Sequence, residues 1–88
     1  MVFKAATFHG IEPIMESENA RRSALESTVA NALAVAGGLD ASDVIVTAAG
    51  QEIRLRGTVA TPEEVRRASA VAEAVPGVRL VRNWILVG

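Results

Sequence analysis

Between Glu52 and Val87 the apolar period of the sequence switches from two to helical and back to two. From Glu52 to Val59, Ile53, Leu55, Gly57 and Val59 fall on one face and Glu52, Arg54, Arg56 and Thr58 on the other, as in a half-buried strand. Thr61-Pro62-Glu63-Glu64 then reads as a capping box with proline at the first helical position. The stripe Val65, Ala68, Ala72, Val75 carries that helix until Pro76-Gly77 stops it. Alternation resumes with Val81, Asn83, Ile85 and Val87 on one face and Arg82, Trp84 and Leu86 on the other, within a strand expected over 78–87. Strand, helix, strand in so short a span requires a right-handed crossover, which makes the two strands parallel.

Upstream, Leu25, Val29 and Leu33 recur every fourth residue, and Ala32 and Ala36 widen the stripe, predicting a helix from about Asn19 to Ala36. Asn19 or Ser17 is the expected cap at its start, and Gly37-Gly38 the left-handed turn at its end. Asp43 to Ala48 is rich in β-branched residues and precedes a turn at Ala49-Gly50-Gln51, so it should pair with the next strand as an antiparallel hairpin. Residues 1–18 hold no persistent period; they are expected to form an extension with one short strand, Val2 to Thr7, outside a single domain over 19–88. The fold class is therefore α+β, an αββαβ two-layer sandwich with both helices on one face of a three-stranded mixed sheet. Strand order stays open, since the third strand fits either an edge or the centre.

Composition narrows the function. In 88 residues and 9.2 kDa there is room for one core, and self-association would help to stabilise it. Nine cations against ten anions exclude the strongly basic footprint of most nucleic-acid binders, and no basic GxxG loop or aromatic stacking pair marks an RNA-binding domain. The balance is uneven, with three cations and six anions over 1–43 but six arginines and four glutamates over 44–88. There is no cysteine, and the one histidine, His9, has no companion ligands, so metal, thiol and triad chemistry have no residues to work with. No cofactor fingerprint is present, and Gly37-Gly38 follows a helix rather than a strand. The expectation is a non-enzymatic module. No run of apolar residues approaches a membrane span, and the N-terminal residues do not read as a signal peptide, so the expected location is cytoplasmic, with peripheral membrane contact allowed.

The chain from 19 to 88 resembles the BON domain family, named for bacterial osmotically induced and nodulation proteins. The resemblance rests on Gly50 in the hairpin, Ile53-x-Leu55-x-Gly57-Thr58-Val59, the capped helix from Thr61, and Val75-Pro76-Gly77-Val78 leading into Val81-x-Asn83-x-Ile85-x-Val87. It implies a non-catalytic, commonly envelope-associated module proposed to bind phospholipid. This chain carries one copy of the pattern, where many relatives carry two.

The open sheet face is the candidate site. Arg54, Arg56, Arg82, Trp84 and Leu86, with Ile45 and Thr47, should project away from the helices. Tryptophan and arginine together suit an interface with anionic lipid headgroups or with a protein. A register error of one would instead turn Trp84 toward the first helix, and the N-terminal residues offer a second cover for it. Two partner classes follow: an anionic phospholipid surface, or a protein partner, including a second copy of the chain through this face or the edge of the first strand. Gly50, Gly57, Pro76, Gly77 and Asn83 read as structural. Gly57 should admit a close helix or a bulge, and Asn83, an inward amide, should tie down a loop or helix end. Arg66 and Arg67 should lie on the solvated side of the second helix beside Glu63 and Glu64, and Arg79 should extend a basic rim.

Overall fold

A computed structural model describes the backbone from residue 2 to 88 and side chains from Asn19 onward. The elements are α1 (Val2–Val35), β1 (Val44–Ala49), β2 (Glu52–Val59), α2 (Pro62–Glu73) and β3 (Leu80–Val87). The sheet order is β1-β2-β3, which settles the open question of strand order with β2 at the centre. β1 runs antiparallel to β2, with Val44 opposite Gly57 and Ala49 opposite Glu52. β3 runs parallel to β2, with Glu52 opposite Leu80 and Val59 opposite Val87.

The hairpin is tight because Gly50 takes φ +65° while Gln51 stays at negative φ, the pattern of a II′ turn whose twist suits antiparallel strands. At the start of α2 the Thr61 hydroxyl accepts from the Glu64 N–H at 3.2 Å, and Glu64 Oε1 accepts from the Thr61 N–H at 3.1 Å, so each side chain satisfies the other residue's backbone donor. Glu64 reaches further, accepting from the Asp40 N–H at 3.0 Å with its second oxygen. One carboxylate thus fastens the α1–β1 connector to the start of α2.

Both helices share one core. Val29 and Leu33 of α1 and Ala68 and Ala72 of α2 bury fully or nearly so against Ala48, Ile53, Leu55, Val59 and Ile85 of the sheet. Each large side chain fully buried here contributes roughly 1.5 to 3 kcal/mol of transfer free energy. Val44, Val46 and Val81 are half-buried at the margin, as the alternation places them. Val87, expected in the inner layer, is 50% exposed at the end of the outer strand β3.

Three expectations are corrected by the backbone. No strand forms over 2–7: that stretch belongs to α1, where the chain pairs its own donors and acceptors, which a strand without a neighbour could not do. For the same reason neither Ser17 nor Asn19 caps a helix start, since α1 runs through both. Asn19 instead accepts from Arg22 Nη2 one turn on, at 2.8 Å. The third correction concerns Gly57, whose φ is +130°. What approaches it is neither helix but the Asp43 carbonyl at the entry to β1: a Cβ on residue 57 would coincide with that oxygen and lie 2.9 Å from its carbon.

Candidate functional site

The face opposite the helices is uncovered, and strand register arranges its side chains in rows. Ile45, Arg56 and Trp84 form one row across the three strands, Thr47, Arg54 and Arg82 the next. Thr58 and Leu86 flank the first row on one side, and Glu52 lies opposite Leu80 at the hairpin end. Ile45 is 64% exposed, Trp84 53% and Leu86 66%. The expected face therefore assembles, with Trp84 on the side away from α1 and α2. Between the rows lies a shallow concavity of about 800 Å³, with Thr47, Arg54, Arg56, Thr58, Trp84 and Leu86 among its lining residues.

The electrostatics of this face differ from a row of three free arginines. Glu52 Oε2 accepts from Arg54 Nε at 2.8 Å and from Arg82 Nε at 3.0 Å, so two cations share one carboxylate. The hydrogen bond from Arg54 holds the Glu52 carboxyl below its ordinary range; partial desolvation works against this and the charge of Arg82 supports it. The clamp is intact above the ordinary carboxylate range and is lost as pH falls through the lowered value. Arg56 has no ion-pair partner among the described residues. The three arginines and Glu52 leave this face two charges positive. Alternation placed Glu52 on this face, but its sharing by Arg54 and Arg82 depends on the β2–β3 register, which no local signal carries.

The remaining candidates separate cleanly. Arg66 pairs with Glu63 at 3.5 Å on the exposed side of α2, as expected. Arg67 donates from Nε to the Gly37 carbonyl at 3.1 Å and so helps close the end of α1. Asn83 is half-buried and fully engaged, but it does not hold a loop or a helix end. Its Nδ2 donates to the Val65 carbonyl at 2.9 Å and to Ser69 Oγ at 2.7 Å within α2, and its Oδ1 accepts from the Ile85 N–H at 2.9 Å. Pro76 and Gly77 form the turn between α2 and β3, with Gly77 at φ +97°. Arg79 donates its N–H to the Gln51 carbonyl at 2.9 Å, which sets β3 beside β2. A long-range link with no sequence signal joins α1 to β1: Glu26 Oε2 of α1 accepts from the Ala48 N–H of β1 at 2.8 Å. No helix among the described residues is long and apolar enough to cross a membrane.

Comparison with known proteins places this architecture. Residues 21–88 match the family model described as BON domain. Two solved structures of CdsD, a structural protein of the type III secretion system of Chlamydia trachomatis, superpose with TM-scores of 0.63 and 0.65 at 20% identity; the first is its C-terminal domain. Each covers 76% of this chain, which in turn spans about a third of their length, 33% and 32%. At that identity they share a fold with this chain. No curated protein matches it.

Proposed function

The chain belongs to the BON domain family, and on that premise we propose that it is a non-enzymatic docking module whose open sheet face lies against an anionic phospholipid surface. The observation that supports this reading is the row Ile45–Arg56–Trp84, a guanidinium with no ion-pair partner among the described residues between two exposed apolar side chains. A bilayer interface offers phosphate to the arginine and a half-apolar, half-wet layer to the indole, with Leu86 beside it. The remaining positive charge on this face gives long-range attraction to an anionic leaflet. Arg54 and Arg82, held by Glu52, frame the contact.

A protein partner on the same face is the other reading. The secretion-system protein with this fold is described as structural, which fits assembly through protein contacts. Arginine and tryptophan also concentrate in protein interfaces. Dependence of binding on anionic lipid and on salt separates the two.

Co-sedimentation with phosphatidylglycerol vesicles at low salt, against phosphatidylcholine vesicles, tests the lipid reading. Binding is expected to the anionic vesicles alone and to fall steeply as salt screens the face. Glu52→Gln should tighten that binding by about fivefold, since removing one negative charge beside the surface contributes about 1 kcal/mol. Failure of the wild-type chain to sediment with phosphatidylglycerol at low salt would refute the lipid reading and turn the search to a protein partner.

A further inference from the structure

A three-stranded sheet has two outer edges, and a bare edge is a template for another chain. Register shows which backbone groups occupy them. The Gly88 N–H donates to the Val59 carbonyl at 2.9 Å, with Val59 opposite Val87. Alternate residues of a parallel strand face its neighbour, so 82, 84 and 86 bond to β2 while the N–H and C=O of 81, 83, 85 and 87 point outward. On the other side the Thr58 N–H donates to the Asp43 carbonyl at 3.3 Å. By the antiparallel pattern 45, 47 and 49 then bond to β2, and 44, 46 and 48 point outward.

Three of these outward donors are engaged by something other than a strand. Val44 donates to the Ala41 carbonyl at 3.0 Å. Ala48 donates to Glu26, which reaches across from α1, and Ile85 donates to Asn83, whose amide is anchored on α2 by two further bonds. The β1 edge is thus closed at both ends of its outward set. The β3 edge is longer, eight residues against six, and Arg82 is its one charged residue. Long, apolar and without proline or lysine, it is the edge with the greater tendency to pair.

We propose that Asn83 is an edge guard: by occupying the Ile85 N–H it keeps β3 from pairing with the β3 of a second copy. Two β3 strands running antiparallel about a twofold at Trp84 would set residue 85 of each opposite residue 83 of the other. The first pair of bonds in that ladder uses the Ile85 N–H, which the Asn83 side chain already holds. Glu26 does the same for β1 through the Ala48 N–H. This inference is independent of the lipid reading, since it concerns the sheet edge and not its face.

The test is Asn83→Leu, which keeps the branched side-chain skeleton and removes the acceptor, followed by light scattering over a concentration series. Its mass should rise above that of the wild-type chain with concentration, and Asn83→Leu/Val87→Pro should return to the wild-type mass, because proline removes an outward donor and bars the ladder. A folded Asn83→Leu chain with wild-type mass throughout overturns the proposal, as does a rise that Val87→Pro leaves unchanged. Amide exchange of the wild-type chain serves if Asn83→Leu does not fold. The Ile85 N–H should exchange about tenfold more slowly than the Val81 and Val87 N–H groups on the same edge; equal rates would overturn it.

Discussion

Arg56→Glu is expected to weaken binding to phosphatidylglycerol vesicles at low salt by about 30-fold. The residue stands between Ile45 and Trp84 with no ion-pair partner among the described residues, so its charge is the one on this face available to a phosphate without first breaking a contact. Reversing it changes the face by two charges, and at about 1 kcal/mol per charge near an anionic surface that is roughly 2 kcal/mol. The side chain is exposed, and Arg56→Glu should leave the urea midpoint nearly unmoved, since surface substitutions stay within about 0.5 kcal/mol. Arg56→Gln removes one charge in place of two and should lose about fivefold by the same scale. A loss of affinity that salt does not modulate, or equal losses for the two variants, would mean that Arg56 acts by shape and not by charge.

The second large effect lies in the fold. Gly57→Ala should lower stability by roughly 3 kcal/mol, because two costs add: a side chain forced to φ +130° and an overlap with backbone. The obstacle is the Asp43 carbonyl, which cannot swing aside as a side chain tip would. It accepts the Thr58 N–H at 3.3 Å, so moving it opens the first rung between β1 and β2. For a domain of this size the loss corresponds to a melting temperature lower by roughly 15 °C. The strand position also explains why glycine stands where alternation would put an apolar residue: a side chain at 57 would run into the neighbouring strand's own backbone at Asp43 and Val44. A change below about 1 kcal/mol on urea denaturation would contradict both the conformation and the close approach.

How much of this was legible in the sequence follows from the range over which each signal acts. The start of α2 is read from four adjacent residues, Thr61 to Glu64, and the capping box forms as those residues dictate. The bounds of β2, Glu52–Val59, follow from alternation alone, and β1 lies one residue later than expected. β3 begins at Leu80 and not at 78, because the turn after α2 continues through the Val78 N–H to Val75 C=O bond at 3.2 Å. In the first 18 residues Gly10 and Pro13 punctuate the sequence, and no apolar stripe marked the helix that α1 makes there. What escaped were links between residues far apart in the chain. Glu26 and Ala48 are 22 positions apart, and Arg67 and Gly37 are 30 apart; neither pairing has a spacing rule. The open face was legible because strand alternation assigns sides, which gave Arg54, Arg56, Arg82, Trp84 and Leu86 together. Its charge balance was not, because the Arg54–Glu52–Arg82 clamp exists only once β3 is set parallel to β2 in one register.

The edges and the face of the sheet divide the work of association. On the reading proposed above, Glu26 at the Ala48 N–H and Asn83 at the Ile85 N–H guard the edges, and a partner docks on the face. Trp84 stands on that face beside Arg56 and is the chain's single tryptophan, so it reports on its own contact. Its emission, followed during titration with phosphatidylglycerol and then phosphatidylcholine vesicles, tests the docking account most directly. The account predicts a red, solvent-exposed maximum in buffer that shifts to the blue with the anionic vesicles alone and returns when salt is added. A maximum that is indifferent to anionic vesicles, at a protein concentration where the chain is folded, would contradict it.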